Sequence, residues 1–235
     1  MIEFENIEKR YGKYFVLKGI NLSIKNGLTS AIVGPNGSGK TTLIKTILDL
    51  VKLNKGVITI NKYRLNGDCN YRRKIGYMPQ FSKYPENLKV EELFSMIKDI
   101  RAEEKNYDLE LFENFEMKNI LSKQIKTLSG GTRQKLSATV AFMFNPDIII
   151  LDEPTASLDP LASSILKDKI LSEKKKNKTI IITSHNMNDV EEVSDNLVFI
   201  IDGKITFDGT IENLKMQTNK DNLERAVSIL MGEAK

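Results

Sequence analysis

Two kinds of apolar periodicity divide the chain. Near its start, Ile2 and Phe4 alternate with Glu3 and Glu5, and Ile20, Leu22 and Ile24 alternate with polar neighbours. A period of two puts one face of an extended strand in a core and the other in water. Gly56-Val57-Ile58-Thr59-Ile60 is a further strand candidate. Together these stretches predict an antiparallel β layer. The runs at 29–33, 147–152 and 179–183 are short and mostly apolar, and another at 75–78 ends at Pro79-Gln80. Apolar strands that alternate with helices imply parallel α/β wiring.

From residue 90 to about 144 the spacing is helical. Val90, Leu93, Phe94 and Ile97 mark one helix, Leu109, Phe112 and Phe115 a second, and Leu136, Val140 and Phe144 a third. This segment reads as a helical insertion. A helix from Pro160 to about residue 173 is signalled by Asp159 as cap and Pro160 in the first turn. Lys174-Lys175-Lys176 falls where that helix should end, which its dipole favours. Asp202-Gly203 between two apolar stretches predicts a hairpin. Asp221-Asn222-Leu223-Glu224 resembles a capping box and opens a last helix, with Leu223, Val227, Leu230 and Met231 on one face.

Composition narrows this picture only a little. At 40% hydrophobic and 28% charged, the 235 residues suit a soluble globular protein of one large domain. A net charge of +4 is too weak to argue for nucleic acid. The single cysteine, Cys69, rules out an intrachain disulfide and suits a reducing compartment. The start of the chain lacks the basic region and apolar core of a signal peptide. No apolar stretch reaches the length of a membrane span, so any membrane role is expected to come from a partner chain.

The chemistry gathers first at Gly34-Pro35-Asn36-Gly37-Ser38-Gly39-Lys40-Thr41, which fits the P-loop pattern G-x-x-x-x-G-K-[ST]. A chance glycine turn would not be expected to lie between an apolar strand and a helix beginning at Thr42. Glycines let backbone N–H groups close on phosphate oxygens, and the helix N-terminus adds free donors and partial positive charge. Lys40 would reach the β- and γ-phosphates, and the Thr41 hydroxyl would ligate Mg²⁺.

The 147–153 run ends in two carboxylates and fits a Walker B strand: Asp152 would hold Mg²⁺ and Glu153 would orient the attacking water. Leu128-Ser129-Gly130-Gly131-Thr132 adds a second anion site. Ser129 can cap the helix that follows, and the glycines clear its mouth. Two phosphate-binding helix mouths, one without a lysine, suggest a nucleotide held between two surfaces.

In this order the motifs resemble the ATP-binding cassette family, with 128–132 as its signature, and the resemblance covers essentially the whole chain. It implies a P-loop NTPase (RecA-like) α/β core with an antiparallel β subdomain and a helical subdomain insertion. The expected division is 1–84 and 145–210 for the core, 85–144 for the helical subdomain and 211–235 for a short helical tail. His185, the only histidine, looks like the family's switch histidine. Gln80 looks like its Q-loop residue on nucleotide and metal, and Ser157-Leu158-Asp159 like its D-loop. Tyr11 sits where the family stacks an aromatic on adenine, although Tyr14 and Phe15 are close by. Thr132 departs from the Gln or Met commoner at its position.

The resemblance further implies a head-to-tail dimer, formed with a second copy or a paralogue, with two ATPs at the interface. Each ATP would contact residues 34–42 and Gln80 of one chain and Ser129, Gly130, Gly131 and Asp159 of the other. Glu153 would be the base, His185 would contact the γ-phosphate, and Lys40 with Mg²⁺ would neutralise developing charge. The expected setting is the inner face of the cell membrane, docked through Gln80 and residues 81–99 on a separate permease.

The 152–160 and 84–100 stretches look most like the ABC-2-type, exporter-like branch. Residues 71–101 and 128–135 are similar to the ATPase subunit that processes copper for nitrous-oxide reductase. A soluble cassette ATPase of DNA repair or translation would carry a long coiled coil or a second cassette. Here the gap from P-loop to signature is only about 90 residues, without sustained heptads.

Overall fold

The computed structural model describes residues 1–65 and 67–233. β1 (Ile2–Tyr11) and β2 (Tyr14–Ile24) form a long hairpin with Gly12 at φ +57° in its turn. Both strands outrun the alternating stretches that predict them, because Ile7 and Leu17 carry the buried face onward past register shifts. β3 (Thr29–Val33) is buried throughout and leads into α1 (Lys40–Ile47). β4 (Lys55–Ile60) and β5 (Tyr63–Arg64) complete an antiparallel sheet in the order β2-β1-β4-β5.

After β6 (Ile75–Met78) come the helices α2 (Val90–Ile100), α3 (Glu110–Asn114) and α4 (Gly130–Phe142). α3 is shorter than the spacing of Leu109, Phe112 and Phe115 predicts, and Glu116, at φ +52°, turns the chain out of it. α4 stops before Phe144, which is nevertheless buried. A left-handed Asn145 redirects the chain there.

The remainder alternates: β7 (Ile148–Asp152), α5 (Pro160–Lys175), β8 (Thr179–Thr183), α6 (Met187–Val193), β9 (Asn196–Ile201), β10 (Lys204–Thr210), α7 (Ile211–Thr218) and α8 (Leu223–Glu233). The second sheet has the order β10-β9-β3-β8-β7-β6, parallel except for β10 at one edge. Its pleat sorts side chains between two cores. Ile32, Ile150, Ile181, Val198 and Ile200 face the antiparallel sheet and α1. Ala31, Val33, Ile149, Leu151, Ile180, Ile182, Leu197 and Phe199 face the helices on the other side. Burial on both faces explains why these strands lack polar alternation.

Several local readings take a specific form. The lysine run is tied down, with Lys174 2.6 Å from Asp195 and Lys176 2.7 Å from Glu173. In the last helix the cap is Asn222, not Asp221: its Oδ1 accepts from the Arg225 N–H at 3.2 Å. Leu223, Ala226 and Val227 are buried, but Met231 is exposed, off the face assigned to it. The last two residues of the expected 211–235 tail lie outside the described residues. Among the described residues, no helix is long and apolar enough to cross a membrane.

Candidate active site

Parallel strands deliver their C-terminal ends to one edge of the sheet, where α/β proteins place their sites. β3 ends at Gly34, β6 just before Gln80, β7 at Asp152 and β8 just before His185. They frame a cleft of about 350 Å³ lined by Val16, Asn36, Gly37, Gly39, Lys40, Thr41, Thr42, Gln80, Asp152, Glu153 and His185.

The loop is shaped by close approach. A Cβ on Gly34, at φ +152°, would lie 1.9 Å from the Ile200 carbonyl oxygen, so only glycine fits there. Gly39, at φ +110°, starts α1 with no side-chain cap, which leaves the helix mouth to a ligand. Lys40 is buried, and its ammonium donates to the Gly34 and Pro35 carbonyls at 2.7 and 3.1 Å. Burial draws its pKa down, opposed by Glu153 and Asp152.

Thr41 and Asp152 meet: the threonine hydroxyl donates to Oδ2 at 3.1 Å. A hydroxyl and a carboxylate converging beside Gln80 form the hard oxygen set that suits Mg²⁺. The Thr183 hydroxyl donates to Oδ1 of Asp152 at 2.6 Å and accepts from the Glu153 N–H at 3.0 Å. Burial pushes the Tyr77 phenol up to about 12, with the Asp152 charge adding to the shift.

Glu153 is buried at φ +53°, a left-handed turn just past β7. Burial raises its pKa above the usual carboxylate range, while His185 and Lys40 pull it back and Asp152 adds to the rise. The His185 N–H donates to Oε2 at 3.2 Å. His185 Nε2 lies 3.1 Å from Oε1 without hydrogen-bond alignment, so Oε1 is a buried oxygen with no hydrogen-bond partner among the described residues. A carboxylate held this way can take a proton from water.

Ser129 caps α4 through the Thr132 N–H at 3.2 Å, and its Oγ lies 2.8 Å from the Thr132 hydroxyl. Thr132 therefore completes the cap in place of the commoner Gln or Met. Gly131 packs so closely on the D-loop that a Cβ would lie 2.8 Å from the Ser157 carbonyl oxygen. Asp159 caps α5 through the Ala162 N–H at 2.9 Å and pairs with Lys135 of α4 at 2.7 Å. Lys135 and that cap hold its carboxyl below the usual range.

The structure thus gathers Asn36, Gly37, Gly39, Lys40, Thr41, Thr42, Gln80, Asp152, Glu153 and His185 around one cleft. Ser129, Gly130, Gly131 and Asp159 do not line it. Gly34, Pro35 and Ser38 support the loop from behind: Gly34 and Pro35 offer carbonyls to Lys40, and Ser38 is buried. Tyr11 lies outside the lining, half exposed at the hairpin tip with the Lys9 ammonium 4.9 Å from its ring centre. Val16 lines the cleft instead. Sequence reasoning missed Val16, Thr183 and Gln134, whose roles arise from contacts distant along the chain.

The sequence profile described as ABC transporter matches residues 17–156. The chain belongs to the ABC transporter family. It is 33% identical to the Nod factor export ATP-binding protein I of Burkholderia orbicola over 88% of its length and 70% of that protein's. It is also 33% identical to the glutamine transport ATP-binding protein GlnQ of Bacillus subtilis, over 87% of this chain and 88% of the relative. A solved ATP-binding subunit of an ABC transporter superposes with a TM-score of 0.90 at 29% identity, covering 98% of this chain and 99% of that one. A dimeric cassette in a post-hydrolysis state bound to ADP and Pi superposes at 0.79 with 25% identity, over 89% and 98%. The fold is that of the ATP-binding cassette, and the chain is an ATP-binding, ATP-hydrolysing transporter subunit.

Proposed function

We propose that this ABC ATPase drives a separate membrane permease from the cytoplasmic face by closing head to tail on a second copy around two ATPs. The observation that carries this reading is the separation of two phosphate-binding features on one chain. The cleft at Lys40 has no lining from Ser129, Gly130 or Gly131, whose helix mouth opens onto a surface with nothing within 4 Å of a Cβ on Gly130. Each feature is half a site, and a partner supplies the other half.

ATP would seat its β- and γ-phosphates on the N–H groups of residues 36–42, and Lys40 would leave the Gly34 and Pro35 carbonyls to meet them. Mg²⁺, held by Thr41, Asp152 and Gln80, would supply charge neutralisation at the phosphate oxygens. Glu153 would orient and deprotonate the attacking water through the oxygen that lacks a hydrogen bond. His185 would steady that carboxylate and contact the γ-phosphate. Asp159 and residues 129–131 would meet the partner's ATP. Tyr11 would serve adenine through the ring face that Lys9 leaves open. Closure acts as a switch because γ-phosphate contacts exist in the closed state alone.

Docking on the permease through Gln80 and residues 81–99 is supported by the exposure of Phe81 and Met96. The exporter-like direction rests on motif likeness and on a relative named for export, although another of similar identity is named for glutamine transport. None of the relatives described above bears the name of a copper-processing subunit, and no copper role is proposed. The test is Glu153→Gln: the variant should bind ATP, dimerise with it and turn over about 100- to 1000-fold more slowly. Undiminished turnover would overturn the assigned base. Recovery of the native chain wholly free of membrane partners would overturn the permease.

A further inference from the structure

α4 does more than present the Ser129 mouth. Along its length it touches the loop that leaves β7 at three places. Gly131 lies against the Ser157 carbonyl, and Lys135 pairs with Asp159. Between them, the Gln134 amide donates to the carbonyls of Glu153 and Pro154 at 3.3 and 3.4 Å. Gln134 is only 5% exposed, in a helix whose other buried side chains are mainly small or apolar. A buried amide is retained where its hydrogen bonds matter, since leaving either partner unpaired is costly.

The two carbonyls belong to a turn under conformational demand. Glu153 occupies the left-handed region, and the orientation of its peptide planes sets the direction in which its side chain leaves the backbone. The Ala156 N–H also reaches the Glu153 carbonyl, but at 3.4 Å. Thr183 fixes the Glu153 N–H from the β8 side. Gln134 holds the same turn from the opposite side, through its carbonyls.

We infer that Gln134 is a positioning residue that aims Glu153 at its water, and that through it α4 ties the turn to the Ser129 mouth of the same chain. The inference rests on the reading of Glu153 as the base. It gives α4 a place in linking the two ATPs of a dimer: a shift at the mouth that meets one nucleotide reaches the base that serves the other.

Gln134→Met keeps the volume and removes the donor. The expected result is a fall in kcat of about 10-fold, with KM for ATP unchanged within about 2-fold. Gln134→Leu, also without the donor, should show the same split if the first variant folds poorly. Packing alone would not produce the decisive readout, which is a double-mutant cycle. In the Glu153→Gln background, Gln134→Met should alter residual turnover less than about 2-fold, because there is no base left to aim. Wild-type kcat in both Gln134 variants, or an equal loss with and without Glu153, would overturn the inference. If Glu153→Gln alone left turnover intact, the base assignment itself would have failed, which is a separate outcome.

Discussion

The Thr183 hydroxyl bridges the two acidic residues that follow one another at the end of β7, donating to Asp152 at 2.6 Å and accepting from the Glu153 N–H at 3.0 Å. Thr183→Val removes this bridge at nearly constant volume. The Thr183 carbonyl, 3.1 Å away, still accepts from Glu153, but Asp152 loses a charge-assisted bond. The expected cost is about 1–3 kcal/mol in stability, read from urea midpoints. kcat should also fall by about 10-fold or more in steady-state ATPase assays, because the carboxylate proposed to hold Mg²⁺ is no longer held in place.

As the proposed base, Glu153 should give turnover an acid limb. Burial raises its pKa and His185 restrains that rise. A base works only when ionised, so kcat should fall as pH drops through this raised pKa. Removing the restraint in His185→Gln should move the limb to higher pH, besides lowering the plateau. Profiles of kcat against pH for the two proteins check the direction.

Lys169 is fully buried and meets Asp108 at 2.5 Å, Glu110 at 2.7 Å and Glu173 at 3.0 Å. Burial alone would lower its pKa, but these carboxylates outweigh burial and raise it. Stability from a raised lysine pKa is complete below its unfolded value and is lost only as pH climbs through the folded one. The contribution should therefore be flat across neutral pH. Lys169→Met leaves Asp108 and Glu110 without their shared ammonium and buried Glu173 with only the half-exposed Lys176, and should cost up to about 3–5 kcal/mol. Adding Glu173→Leu should recover much of that loss in denaturant titrations.

Gly34→Ala should damage the loop from behind. Its methyl group would meet the Ile200 carbonyl at 1.9 Å, and its φ of +152° strains any side chain. Either the loop or β9 must shift, at a cost of about 1–3 kcal/mol. Fluorescent-nucleotide titration should show weakened ATP binding even at temperatures where circular dichroism reports a folded protein.

Much of the site was legible because its signals are local. Glycines, lysine and hydroxyl occur within eight consecutive residues, and the carboxylate pair and histidine close apolar strands. Alternation foretold the antiparallel sheet, which keeps one face on the core, and short unbroken apolar runs foretold the parallel sheet, whose strands are buried on both faces. Gln134 and Thr183 were opaque for the opposite reason: each is polar with partners at least 19 residues away, and Lys169, although Glu173 lies one helical turn on, owes its burial to Asp108 and Glu110, 61 and 59 residues back. Tyr11 shows the limit of placement by motif. Its position in the chain suits a stacking role, but the cation that covers its ring comes from neighbouring Lys9. The helix at 109–115 was overdrawn because apolar spacing cannot reveal a left-handed residue such as Glu116.

The left-handed turn at Glu153 sets fitness against durability. A side chain there costs of order 1–3 kcal/mol relative to a relaxed backbone, and its carboxylate is desolvated as well. Glu153→Gly or Glu153→Asn would relieve that tension, and selection for thermal resilience alone would drift toward such replacements. Heat-tolerant variants found without an activity screen should therefore be enriched in dead enzymes altered at this one position. A stabilisation campaign should hold residue 153 fixed and seek its gains elsewhere.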